Sequence, residues 1–185
     1  VWMGAGGVFL LETPNAGGAL QYQVSETGDV HLLKHYAPPE FPYYVTALSQ
    51  TSDQTLWVGS TVIQRYERNV LPVIPISELQ GENTVAMTLD RAQTLWVAKE
   101  HFGVCQKRGE SWRVFTTEDG VASLNLSDLL TLNDGSILAS SSEGISRFDG
   151  ETWTRLAYSK WFAMSKRWES GMRESADGSL WFNYY

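Results

Sequence analysis

The chain has 185 residues, 43% hydrophobic and 19% charged, which is ordinary globular composition and argues against disorder. A formal charge of -7 repels phosphate groups, so neither a nucleic acid nor an anionic membrane is an expected partner. The single Cys105 excludes an intramolecular disulfide and a multi-cysteine metal site, and no apolar run reaches the roughly 18 residues of a membrane span.

In chain order, Val1-Trp2 opens the sequence without Met or a leader-like segment, and Gly4 to Gly7 (GAGG) reads as a turn, since no helix follows that would make it a phosphate loop. Ala16 to Gly28 is expected to be an inserted loop or extended hairpin that lengthens the first unit. DVHLLKHY reads as a strand or turn, so His31 and His35, four apart, do not form the zinc pair they would make on a helix. An inner strand is expected at Tyr44 to Gln50, followed by QTLWV at Gln54 to Val58, and the same five residues return at Gln93 to Val97.

That recurrence sets a period. Taking the apolar-Trp pair as marker, it falls at Val1-Trp2, Leu56-Trp57, Leu95-Trp96, Ile137-Leu138 and Leu180-Trp181, with spacings of 55, 39, 42 and 43 residues. GVCQK at Gly103 returns as GISRF at Gly144, and GESWRVF at Gly109 returns as GETWTRL at Gly150, each after 41 residues. Within one unit, short alternating runs are separated by Asn-Asp-Gly and Phe-Asp-Gly, whose Gly supplies the positive φ of hairpin turns. Four antiparallel strands per unit of about 40 to 45 residues predict an all-β fold, a β-propeller of about four four-stranded blades. From the channel outwards the strands are A to D: further A strands at Thr84 to Asp90, Leu126 to Leu132 and about Trp168 to Ser175, B strands on the marker, C strands on GVCQK and GISRF, and D strands on SWRVF and TWTRL. The repeats run approximately 1–49, 50–88, 89–131 and 132–175, with a fifth beginning at 176–185. Five B strands against four A strands favour a segment of a larger ring, and its open edges predict association of two chains.

The run from Asp90 to Trp153, DRAQTLWVAKEHFGVCQKRGESWRVFTTEDGVASLNLSDLLTLNDGSILASSSEGISRFDGETW, resembles the two-component regulator propeller repeat, with its D-x-x-G-x-LW-[VI]-G-T and GL-x-R-[YF]-[DN] pattern. Gln stands where the pattern has Gly before two of the LW pairs, and the third marker has lost its Trp. The resemblance implies a periplasmic or otherwise extracytoplasmic, non-catalytic sensor region of a bacterial signalling protein. An output domain elsewhere in a longer chain would be its signalling partner.

Trp57, Trp96 and Trp181 share one strand phase and are expected in the packing between blades; Trp112 and Trp153 have a similar structural reading. Cys105 is expected as a buried, inert thiol, and the carboxylate pairs Glu118-Asp119 and Asp149-Glu151 as turn formers. Asn125-Leu126-Ser127 fits a glycosylation pattern that is common by chance. Loops joining D to A and B to C should converge at the channel mouth, placing Tyr44, Asn83, Glu100, His101, Asn125, Glu143, Trp161 and Arg167 as candidate ligand-binding residues. Aromatic rings beside amides and carboxylates suit a carbohydrate or another polar small molecule. No catalytic residue, metal site or cofactor is assigned. A polysaccharide hydrolase or lyase, or a structural protein-interaction module, stands as the alternative.

Overall fold

Period-2 alternation of apolar and polar residues produces fifteen strands in the computed structural model, which describes residues 19–36, 45–53, 55–66, 79, 82–156 and 171–182. They are β1 (Ala19–Val24), β2 (Val30–Tyr36), β3 (Ala47–Gln50), β4 (Leu56–Gly59), β5 (Ile63–Tyr66), β6 (Thr84–Leu89), β7 (Leu95–Lys99) and β8 (Gly103–Arg108). The series continues with β9 (Ser111–Phe115), β10 (Leu126–Thr131), β11 (Ile137–Ser141), β12 (Gly144–Phe148), β13 (Trp153–Arg155), β14 (Met172–Glu174) and β15 (Leu180–Phe182). Consecutive strands pair antiparallel into two four-stranded sheets, β6-β7-β8-β9 and β10-β11-β12-β13. The flanking sheets are β3-β4-β5, β1-β2 and β14-β15. The expected A, B, C and D strands therefore occupy their predicted order in the two units whose four strands all lie among the described residues.

The hairpin β1-β2 resolves the reading of the first unit. Ala19 stands opposite Tyr36 as Val104 stands opposite Phe115, and both pairs close the same end of their hairpins. Tyr36 meets Tyr66 of the next unit with ring centroids 5.5 Å apart, as Phe115 meets Phe148 at 5.4 Å. β1 and β2 are thus the C and D strands of the first unit, and the hairpin alternative, not an inserted loop, describes Ala19 to Gly28. His31 and His35 lie in β2, where four residues of extended chain separate them by about 13 Å.

The two faces of each B strand serve different neighbours. On β7, Leu95 and Val97 point to the preceding unit and pack with Trp57, Ile63, Leu79 and Cys105. Trp96 and Ala98 point to the following unit, in a cluster with Phe115, Leu126, Phe148 and Trp153. The core is consequently not inside any one sheet but between successive sheets, the arrangement of propeller blades. Inner strands of adjacent units are also tied directly. The Thr88 and Thr131 hydroxyls are 2.9 Å apart, the Met172 amide donates to Asp128 Oδ2 at 2.6 Å, and the Asn133 amide donates to Glu174 at 2.6 Å. Burial pushes the Asp128 carboxyl above its usual range, against the Met172 and Leu129 amides that stabilise its ionised form.

Trp57 and Trp96 are buried as expected, and Trp153 is buried with them; Trp112 is partly buried. Trp181 is not: it is 66% exposed, because β15 pairs with β14 on one side and with no other strand among the described residues. Glu118 and Asp119 lie in a short 3-10 turn capped by Thr116, whose amide donates to Asp119 at 2.8 Å. Asp149 accepts the Glu151 and Thr152 amides, both at 2.9 Å, so both acidic pairs form turns.

Candidate functional site

Because strands alternate in direction, the D-to-A and B-to-C connections of each unit emerge at one end, and main-chain hydrogen bonds stitch them into a continuous band. The Thr84 amide donates to the Ser60 carbonyl at 2.8 Å, and the Glu100 amide to Asn83 at 2.9 Å. The His101 amide reaches Leu124 of the next connection at 3.0 Å, and the Ser142 amide reaches Asn125 at 3.0 Å. Connections from three successive units, far apart in sequence, therefore share one surface.

Side chains decorate this band. Asn83 Nδ2 donates to Glu100 Oε2 at 3.2 Å, and Glu100 Oε1 lies 3.6 Å from His101 Nε2. His101 is exposed and adopts φ 56, a left-handed conformation uncommon for a residue with a side chain. Further along, the Ser123 and Ser142 hydroxyls are 3.4 Å apart, and the Arg155 guanidinium donates to the Glu143 carbonyl. Donors and acceptors thus alternate along an exposed strip, which matches the needs of a hydroxylated ligand better than those of an apolar one.

Of the eight candidate residues, Asn83, Glu100 and His101 form one contact group, and Asn125 and Glu143 join through Ser142. Tyr44, Trp161 and Arg167 lie outside the described residues. Asn83 and Asn125 occupy the same place in successive units, and the carbonyl of each accepts the equivalent B-to-C amide. Part of their role is therefore to build the surface they line. No group of three or more His, Cys, Asp or Glu able to hold a metal occurs among the described residues.

Lys99 was not legible as special. It ends β7 beside the band, is fully buried, and donates one hydrogen bond, to the Thr61 carbonyl at 3.3 Å. Ser60 and Ser141 hold the equivalent position in the neighbouring units. Burial pushes the Lys99 ammonium below its usual value, partly offset by the Cys105 sulfur and Glu82. The same burial pushes the Cys105 thiol up to about 12, which fits an inert thiol. Since a buried charge with a single long hydrogen bond is costly, Lys99→Met is expected to raise stability by about 1 kcal/mol at neutral pH. The sign with pH follows: a base whose folded pKa is lowered loses stability as pH falls below its unfolded value of 10.5, so the gain shrinks as pH rises toward 10.5. Urea midpoints of the two proteins across pH check this; a less stable Lys99→Met at neutral pH contradicts it.

Comparison with known structures bears on the fold. The extracellular domain of a hybrid two-component system from B. thetaiotaomicron superposes with a TM-score of 0.72 at 16% identity, over 90% of this chain and 24% of that one. A second extracellular domain from the same organism gives 0.65 at 16% identity, over 91% and 26%. The fold is a β-propeller. Virginiamycin B lyase from Staphylococcus aureus matches with a TM-score of 0.60 at 13% identity, over 88% of this chain and 55% of that one. The chain thus spans about a quarter of the length of the two-component domains and about half that of the lyase. No protein-family model matches the sequence, and no curated protein does.

Proposed function

We propose that this propeller region is a non-catalytic, extracytoplasmic sensor module of a bacterial two-component-type signalling protein. In this reading the band of D-to-A and B-to-C connections binds a polar, hydroxylated ligand such as a carbohydrate. The observation that carries the reading is the convergence of Asn83, Glu100 and His101 with Asn125 and Glu143 on one surface. Its supports are the repeat pattern in the sequence and the likeness in fold to extracellular domains of two-component systems. A ligand bridging adjacent units would alter their relative packing, and inter-unit bonds such as Thr88 to Thr131 give that change a route along the array.

Self-association belongs to the same proposal. The first and last of the described sheets expose Val30, Leu32 and Leu33 on β2 and Trp181 on β15, apolar surface that a second copy would cover. Light scattering that returns the monomer mass at every concentration contradicts it.

A second reading is a propeller lyase. It draws on the lyase neighbours, one of which carries an H270A change described as catalytically inactive, and on the Glu100-His101 pair, an acid beside a base on the same surface. Calorimetric titration with a panel of oligosaccharides, with product analysis of the same mixtures, separates the readings. The sensor reading expects heat of binding, unaltered oligosaccharide, and binding at least tenfold weaker in Glu100→Gln. Cleaved product lost in His101→Ala, Glu100→Ala or Glu143→Ala supports the lyase, and no binding by any member of the panel counts against both.

A further inference from the structure

At the opposite end of the strands, the A-to-B turns of two successive units border a groove of about 310 Å³. Thr51, Asp53, Thr55 and Arg65 line it from one unit, Arg65 on its C strand, and Gln93 and Lys107 from the next. We propose that this groove is a second ligand site, separate from the band of connections above, and that it takes a small hydroxylated carboxylate of the sugar-acid type.

Charge is the first argument. On a chain with a formal charge of -7, the described residues that line the groove carry two cationic side chains against one carboxylate. Lys107 is held in place: its Nζ lies 5.6 Å from the Trp57 ring centroid and 5.7 Å from that of Trp112, and it donates to the Gly109 carbonyl. No carboxylate pairs with it among the described residues. An ammonium held over two aromatic faces, with donors unspent and no carboxylate on it among the described residues, presents a ready partner for an anionic oxygen.

Asp53 narrows the class. Its Oδ1 accepts the Thr51 hydroxyl and, at 3.0 Å, the Thr55 amide, and these bonds lower its pKa and keep it ionised. An ionised Asp53 repels a bare second carboxylate but accepts a hydrogen bond from a ligand hydroxyl. Gln93 adds a third element. It adopts φ 62 at the turn position where Gly135 and Gly178 of the two later units have φ 90 and 83, so a side chain is retained here, as the sequence also retains one at Gln54 of the preceding unit. Its Oε1 accepts the Ser52 amide of the neighbouring unit at 2.8 Å, which fixes the amide across the rim with its nitrogen available as a donor. Cation for carboxylate, carboxylate for hydroxyl and amide for a further oxygen together describe one ligand bearing both an acid and hydroxyl groups.

The probes are D-glucuronate, D-glucose and malonate, titrated calorimetrically into the intact chain. Glucuronate should bind at least tenfold more tightly than glucose, which lacks the anion, and than malonate, which lacks the hydroxyls. Lys107→Met should weaken glucuronate at least tenfold, and Asp53→Asn should weaken glucuronate while strengthening malonate. Should Lys107→Met fail to give the parent circular dichroism spectrum, the salt dependence of glucuronate binding to the unmodified chain replaces it, with weakening on added sodium chloride expected. Equal affinity for glucose, no glucuronate binding at millimolar concentration, or indifference to both substitutions and to salt overturns the proposal. A loss of glucuronate binding in Glu100→Gln as large as that in Lys107→Met would place this ligand on the other surface and overturns the proposal, whereas a failure of the oligosaccharide panel there leaves the groove to be judged by Lys107→Met and Asp53→Asn alone.

Discussion

Trp96→Ala is expected to lower the unfolding free energy by about 3–5 kcal/mol, whereas Trp181→Ala, at the same position in the repeat, should cost less than about 1 kcal/mol. The contrast follows from what surrounds each indole. Trp96 is 1% exposed and sits in a four-ring cluster, with centroids 5.7 Å from Phe115, 5.0 Å from Phe148 and 6.2 Å from Trp153. Two of those partners belong to the next sheet, so truncation opens a cavity between units that neither backbone can close. Its indole N–H also donates to Asp90 Oδ2 at 3.0 Å, an acceptor of the A-to-B turn that loses a partner. Trp181 makes the equivalent turn bond, to the Ser175 hydroxyl at 2.6 Å, but its ring is largely in water. Chemical denaturation of both variants checks the pair. Equal losses at the two positions contradict packing between units as the source of stability.

Gly103→Ala is the second large effect, at least about 2 kcal/mol, set against about 1 kcal/mol for Gly109→Ala. Both glycines open a strand or turn at positive φ, 134 and 57 respectively, so both substitutions strain the backbone. They differ in space. A Cβ on Gly103 would overlap the Phe115 carbonyl oxygen and touch the Val114 side chain, whereas nothing lies within 4 Å of one on Gly109. Since Phe115 belongs to the aromatic cluster, movement to relieve that overlap also disturbs the contact with Trp96 and Phe148. Thermal melts of the two variants against the parent measure the difference, and a Gly103→Ala no more destabilising than Gly109→Ala refutes the close-approach argument.

The fold was legible because its signals are local and repeated. Asp134, Gly135 and Ser136 specify a turn by themselves: Asp134 Oδ1 accepts the Ser136 amide at 2.8 Å, and Gly135 takes φ 90. The Leu-Trp pairs place one residue on each face of a B strand, and that alternation alone distributes Leu95 and Trp96 to different neighbours. The first unit was harder, since GGALQYQV keeps the Gly and closing aromatic of GISRF but not its Arg, and Tyr36, the aromatic that ends the C-D hairpin, lies twelve residues further on. Its identity emerged only from the register of Ala19 with Tyr36.

Burial depends on neighbours that a sequence does not name, which is why Trp181 and Lys99 departed from their apparent roles. Trp181 carries the core phase with no further strand among the described residues to cover it, and Lys99 carries a surface residue type at a position that packing closes. The candidate site was legible as a set of loops, since strand polarity alone brings D-to-A and B-to-C connections together. Which side chains meet there was not legible: the pairing of Asn83 with Glu100, 17 residues apart, follows from the turn geometry on either side of a strand pair. The groove around Lys107 escaped notice for a related reason. Thr51, Gln93 and Lys107 each look like ordinary turn or edge residues until two units stand side by side.

The central claim is that the connections of successive units form one ligand-binding surface. Amide hydrogen exchange with and without the tightest oligosaccharide from the titration panel tests it most directly. The account predicts added protection at residues 82–84, 100–102, 123–125 and 141–143 together, from three units of the repeat, with the A-to-B turns at 51–53 and 90–94 unchanged. Protection confined to a single connection, or appearing only at the A-to-B turns, would contradict it.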